Sequence, residues 1–287
     1  MLVIAGIIVV FGAVVGGYLL EKGNLLVLFQ PAELLIIGGA AMGTTLIANP
    51  MHILKEILAG VIGTLKGRQY DKGVFMETLR MLYDLFSNIR KAGMAAIEQD
   101  IEAPQQSQFF AKYSTFSKNH HALYFLCDTL RTHLSGAISH FDLDRLMDLD
   151  LEVHHEESTK PVSALTAVAD SLPGLGIVAA VLGVVVTMAS LGGPPEEIGH
   201  KVAAALVGTF LGILLCYGLV GPLSANIAKA KEAEAQYYRC IKEGLMSFVK
   251  GAAPILAVEF ARRSIPAHVR PSFHEMESVC RNGTTEQ

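Results

Sequence analysis

The stretch Leu172–Leu191, LPGLGIVAAVLGVVVTMASL, runs for 20 residues without a charged side chain. At about 1.5 Å of rise per residue, such a run spans the roughly 30 Å hydrocarbon core of a bilayer as a single helix. Three further stretches have the same character: Met1–Leu20, Ala32–Met51 and Val202–Leu223. No strand pattern of any length and no internal repeat accompanies them. The chain therefore reads as an all-α polytopic membrane protein with four transmembrane helices and helical extensions on one side.

Composition agrees. Of the 287 residues 51% are hydrophobic, and mean hydropathy is +0.41. The net charge of −4 excludes a strongly basic nucleic-acid binder. Of the 23 Lys and Arg residues, all but Lys22 and Lys201 fall in 50–170 and 224–287. The positive-inside rule then puts both charged segments in the cytoplasm, together with both termini. The short loops, 21–31 and 192–201, face outward. Close to the span ends, Lys55, Lys66, Lys160, Lys229 and Lys231 carry this assignment. Met1–Leu20 lacks the basic start of a signal peptide and is followed closely by a second span, so it reads as the first helix.

The expected organisation is thus span 1 at 1–20, span 2 at 32–51 and a cytoplasmic helical loop at 52–171. Span 3 at 172–191, an outer loop at 192–201, span 4 at 202–223 and a cytoplasmic tail at 224–287 follow. Within the loop, Ile53, Leu54, Ile57, Leu58, Val61, Ile62 and Leu65 share one helical face, as expected of a helix at the membrane interface. Val74–Arg90, Met94–Ile101, Ala122–Leu134 and Phe141–Glu157 also read as helical, the last feeding span 3 through Lys160-Pro161. The Gln/Ser-rich 104–121 reads as a loop. Ala225–Val249 extends the fourth helix, with Gly244 as its first breaker, and the last 20 or so residues, rich in Pro, Ser, Asn and Gly, read as disordered. The soluble part is expected to consist of membrane-helix extensions rather than a separate globular core.

Little in the chain suggests catalysis. Gly174-Leu175-Gly176-Ile177-Val178-Ala179 fits the dinucleotide fingerprint in letters only, because it lies in an apolar span without the required strand. Close helix packing explains it better, as it does Gly12/Gly16, Gly39/Gly43 and Gly208/Gly212. The adjacent pairs His120-His121 and His154-His155 lack metal-ligand spacing, and Cys127, Cys216, Cys240 and Cys280 are scattered. No catalytic residue, metal site or cofactor is expected. The spans also lack an ionisable group at mid-depth: Glu33 and Asp170 lie near span ends and Lys201 lies outside. If the protein conducts ions, another chain supplies the carrier group. Pro173 and Pro222 lie near the cytoplasmic ends of adjacent spans. They fit either the ordinary tolerance of proline in membrane helices or a paired flexure. Arg90 and Glu98, flanking Gly93, are by composition surface charges; Ala180 and Thr209 are unremarkable in theirs.

The segments Gln30–Gly39 (QPAELLIIGG), Ser171–Gly176 (SLPGLG), Gly208–Gly212 (GTFLG) and Tyr217-Gly218 with Gly221-Pro222-Leu223 resemble the MotA family of flagellar-motor stator subunits. The likeness covers nearly the whole chain. It implies a membrane-embedded ring, a pentamer, around a dimer of a single-span MotB-like partner whose membrane aspartate carries the ion. By the same resemblance, Pro173 and Pro222 couple conformational change and Arg90 and Glu98 meet the rotor's switch-complex protein. Ala180 and Thr209 line the ion path, and Ala180, where sodium-driven relatives carry threonine, implies protons. Two alternatives remain: an ExbB- or TolQ-like subunit, whose relatives have three spans, and a non-conducting helical scaffold.

Overall fold

The computed structural model describes residues 2–66, 70–136, 138–188, 192 and 194–282. Its elements are helices: α1 (Leu2–Leu20), α2 (Leu25–Leu28), α3 (Pro31–Ala48), α4 (Met51–Lys66) and α5 (Lys72–Ala92). After a 3₁₀ turn at Met94–Ile97 come α6 (Glu98–Glu102), α7 (Gln108–Ala111), α8 (Ser114–Lys118) and α9 (His120–Leu134). The chain ends with α10 (His140–Met188), α11 (Pro195–Leu215), α12 (Gly221–Val249), α13 (Pro254–Ser264) and α14 (Phe273–Asn282). Among the described residues, four helical segments are long and apolar enough to cross a membrane: 2–20, 25–48, 140–188 and 195–249. Two compact units divide the chain, unit 1 from Met1–Gly67 and Ser158–Lys229, unit 2 from Arg68–Glu157 and Ala230–Gln287.

The helix expected over Phe141–Glu157 runs on into span 3 without interruption. Pro161 and Pro173 both lie inside α10, a continuous helix of 49 residues. The outer loop is also shorter than expected, because α11 starts at Pro195, with Glu196 and Glu197 in its first turn. Proline at the first helical position costs no hydrogen bond, and acidic residues there complement the helix dipole.

Unit 1 is held by a seam between α10 and α11 where glycines let backbones touch. A β-carbon placed on Gly212 would lie 2.5 Å from the Leu172 carbonyl oxygen, and one on Gly176 would lie 2.7 Å from that of Gly208. Gly183 comes equally close to Ala205, at 2.8 Å from its Cβ. The seam thus uses Gly208/Gly212 within one subunit, whereas β-carbons on Gly12, Gly16, Gly39 or Gly43 would meet nothing there. Across it lies α3, whose Ile37 and Ala41 cluster with Ala169, Leu172, Ala179 and Cys216.

Unit 2 has a hydrophobic core of its own, contrary to expectation. Phe75, Leu79, Leu82 and Phe86 of α5 pack with Leu126 and Leu130 of α9, Ile241 and Leu245 of α12, and Val258 of α13. Gly244 does not break α12; its missing side chain admits Ala261 and Leu82, 3.0 and 3.2 Å from where a β-carbon would stand. The expected loop 104–121 folds into short helices that bury Phe110 and Phe116. Of the tail expected to be disordered, Phe273–Asn282 instead forms α14, with Met276 and Cys280 buried, and residues 283–287 lie outside the described residues. Ser272 and Glu275 close a capping box at its start: Glu275 N donates to Ser272 Oγ (3.2 Å) and Ser272 N to Glu275 Oε2 (2.7 Å).

One His from each adjacent pair meets inside unit 2. The rings of His121 and His154 stack at 3.7 Å between centroids, both edge-on to Tyr238. Tyr238 donates to Asn119, the cap of α9, and to Glu234. Burial and the neighbouring His154 push His121 below the usual imidazole range, against the opposing pull of Asp150 and Glu234. Burial works to raise the Glu234 carboxyl, but His154 at 3.9 Å and Lys231 at 2.8 Å outweigh it and hold it at about 2.

Two predictions follow from this packing. Gly212→Ala forces a methyl group against the Leu172 carbonyl and should cost about 1–3 kcal/mol, the usual range for overpacking. It should be read as a lower melting temperature of the purified protein in detergent, and an unchanged midpoint would show that the seam yields freely. For pH, the unfolded chain binds protons at position 121 below about pH 6.5 while the folded chain resists them. Stability should therefore fall as pH drops below that value, with the Glu234 contribution lost further down. Replacing His121 with Gln should flatten the melting temperature between pH 7.5 and 5.5 (about one unit either side of a free imidazole).

Candidate functional site: a carboxylate in a glycine seam

The residues expected to act do not form one cluster. Pro173, Ala180, Thr209 and Pro222 belong to unit 1, and Arg90 and Glu98 to unit 2. Within unit 1 the seam gathers Ala180 and Thr209. A β-carbon on Gly208 would stand 3.2 Å from the Ala180 nitrogen, and one on Gly176 would stand 3.3 Å from the Thr209 Cα. Both Ala180 and Thr209 are half-buried.

A residue that sequence reasoning set aside lies at the same place. Glu33, in the first turn of α3, is only 6% exposed. Its carboxylate oxygens approach Gly208 and Gly183, at 2.5 and 3.4 Å from where their β-carbons would be, and Oε2 has no hydrogen-bond partner among the described residues. Seen along the sequence, Glu33 is a charge near the end of a span. Only the packing of α3 on the α10–α11 seam shows that its side chain reaches the line of Ala180. Thr187, fully buried, turns its hydroxyl back to the Gly183 carbonyl at 2.8 Å, so it does not pair with Glu33. A buried carboxylate with a free oxygen is costly unless it takes up a proton or meets a cation.

The prolines sit at different kinds of backbone. Pro173 is inside regular α10, next to Leu172, whose carbonyl makes the closest approach to Gly212. Pro222 is exposed in the first turn of α12, directly after a π turn at Cys216–Val220, in which Gly221 N donates to the Cys216 carbonyl. Two residues on, the buried Ser224 hydroxyl lies 2.7 Å from Thr166 Oγ1 and donates to the Val162 carbonyl at 3.2 Å, fastening α12 to α10.

In unit 2, Arg90 lies in the last turn of α5 and Glu98 opens α6. Between them Gly93 has φ of +80°, a conformation that favours glycine, and it ends α5 by donating to the Ile89 carbonyl at 2.9 Å. Both charges are exposed, and among the described residues neither forms an ion pair. The described residues contain no group of three His, Cys, Asp or Glu that could hold a metal ion.

Known proteins give a consistent picture. Residues 4–93 match the Motility protein A N-terminal family, and residues 117–239 match the MotA/TolQ/ExbB proton channel family. Motility protein A of Salmonella typhimurium is 42% identical over 98% of this chain and 95% of its own length, as is that of Escherichia coli. Chemotaxis protein LafT of Vibrio parahaemolyticus is 37% identical over 95% of both. Among solved structures, the fold is similar to C. jejuni MotAB, with a TM-score of 0.75, 18% identity, and 94% and 98% of the two chains covered. The flagellar MotAB stator complex from Bacillus subtilis gives a TM-score of 0.74 at 24% identity, over 92% of this chain and 96% of that one. With a fold of this kind and a full-length relative at this identity, the chain belongs to the motility protein A family.

Proposed function

We propose that this protein is a stator subunit of the bacterial flagellar motor, which with a single-span MotB-like partner conducts ions and turns their flow into torque on the rotor. The carrying observation is the near full-length 42% identity to Motility protein A, joined to a seam whose geometry suits ion transfer. In this reading the partner's aspartate moves its proton beside the α10–α11 seam, in a path lined by Ala180 and Thr209. Glu33 is the carboxylate of this chain that shares the path, and Ala180 favours protons over sodium. The chain sits in the inner membrane with both termini and unit 2 in the cytoplasm, as a ring, a pentamer, around the partner dimer.

Conformational change passes through α10 and α12, each of which contributes residues to both units. Pro173, like Pro161 of the same helix, and the π turn before Pro222 are places where these helices lack ordinary hydrogen bonds, which supports a role in flexure. In this reading Arg90 and Glu98 meet the switch-complex protein of the rotor, and their exposure on either side of Gly93 supports it. The ExbB- or TolQ-like alternative is weakened by the full-length match to Motility protein A, including residues 4–93. A scaffold that moves no ions gives no reason for a buried, unpartnered carboxylate in the seam.

A strain deleted for the gene should build normal flagella that do not rotate, with rotation restored by the gene; normal rotation of tethered deletion cells would refute the reading. Pro173→Ala should keep the protein in the membrane at wild-type level while cutting torque. Full torque in that variant would remove the flexure role and leave the rest standing.

A further inference from the structure

Unit 2 exposes two apolar helix faces that its own core does not use. On α10, Leu146, Leu149 and Val153 are 44%, 57% and 48% exposed. Their spacing of three and four puts them on one face, opposite Asp144 and Asp148, which meet Lys242 of α12. On α13, Leu256 and Phe260 are 49% and 50% exposed and share a face with the exposed Arg263, opposite the buried Ala257, Val258 and Ala261. These are the long side chains that a solvated helix would replace with polar ones.

The two faces point away from each other. Both helices pack on α12, α10 through Lys242, whose ammonium holds Asp144 and Asp148 at 2.7 and 2.6 Å. The other, α13, packs through Gly244, where a β-carbon would touch that of Ala261. Positions 242 and 244 are about 200° apart around a helix, so the two neighbours lie on opposite sides of α12.

Their charges are also unlike. The α10 stripe is flanked by Asp142, Asp150 and Glu152 against one cation, Arg145, all exposed, an acidic balance; Asp150 and Glu152 are in no ion pair among the described residues. On α13, Arg262 and Arg263 share the single carboxylate of Glu259, at 2.6 and 2.7 Å, which leaves a positive balance. A partner with one matching surface would cover one face and leave the other bare. A second copy of this chain covers both, and the contact repeats head to tail until it closes.

We propose that the Leu256–Phe260–Arg263 face of α13 in one copy seats on the Leu146–Leu149–Val153 stripe of α10 in the next, closing unit 2 into a ring. This rests on the reading of the chain as a ring-forming stator subunit, and adds which surfaces meet.

The test is a Leu149→Cys, Phe260→Cys double variant of the full chain, expressed with its single-span partner and oxidised in native membranes. Cys127, Cys216, Cys240 and Cys280 are buried, so background cross-linking is low. A ladder of disulfide-linked copies, absent from either single variant, is expected. As a second arm, Leu149→Glu should deplete the oligomer on native gels and Phe260→Lys in the same chain should restore it. An oligomer of normal mass with no ladder, or cross-links to a foreign protein instead, would overturn the proposal while leaving the stator reading intact. A wild-type chain that is monomeric in membranes would overturn the ring itself.

Discussion

The contact on which unit 1 depends is between backbones, at the seam where the carbonyls of Leu172 and Gly208 face Gly212 and Gly176. Lipid tails are as apolar as leucine, so helices in a bilayer gain little by burying aliphatic surface against each other. What holds them is close van der Waals packing, and a glycine is the only residue that allows it at these separations. The remaining features of the seam follow from that approach. Ala179 and Ala205 must be small, α3 can lie across the pair through Ile37 and Ala41, and the Glu33 carboxylate is brought against Gly183 and Gly208.

The prolines take their meaning from the same seam. Proline lacks an amide hydrogen, so Pro173 leaves the Ala169 carbonyl without its usual helical donor, and Pro222 likewise offers no donor to the turn before it. In α10 the regular helix continues through this gap. In the fourth span it coincides with the π turn at Cys216–Val220, a wider turn that loosens the backbone ahead of Pro222. Ser224 and Thr166 then fasten α12 and α10 together immediately beyond. A weakened turn beside a fastened one is where bending would concentrate, which is the geometry the proposed flexure needs.

Much of this was legible in the sequence, and the failures have physical causes. Span number and order came from runs of apolar residues, a property of single segments. The glycine spacing gave the seam for Gly208/Gly212, though spacing alone cannot distinguish contact within a subunit from contact between subunits. The core of unit 2 was missed because it joins α5, α9, α12, α13 and α14, segments far apart in sequence, and periodicity within each says nothing of their meeting. The α14 helix had a readable signal in Ser272-Phe273-His274-Glu275, a capping box followed by Met276 and Cys280 on one face, which the surrounding Pro, Asn and Gly obscured. Glu33 had no such signal: its burial is decided by what lies opposite.

The energies restrict which parts of the molecule can move when an ion passes. One charge crossing about 100 mV releases roughly 2.3 kcal/mol. Uncovering a single leucine or phenylalanine of the unit 2 core would cost about 1.5–3 kcal/mol, and Phe86, Leu82 and Leu245 would have to be uncovered together. The core therefore stays closed through the cycle, and unit 2 moves as a body or not at all. Exposed ion pairs are worth about 0.2–1 kcal/mol each, so a few of them can be broken and remade by one ion. Arg90 and Glu98 stand on helix ends and form no ion pair among the described residues. Pairs of the strength such exposed charges make are what the proposed rotor contact needs, since one ionic step could release one and take up the next.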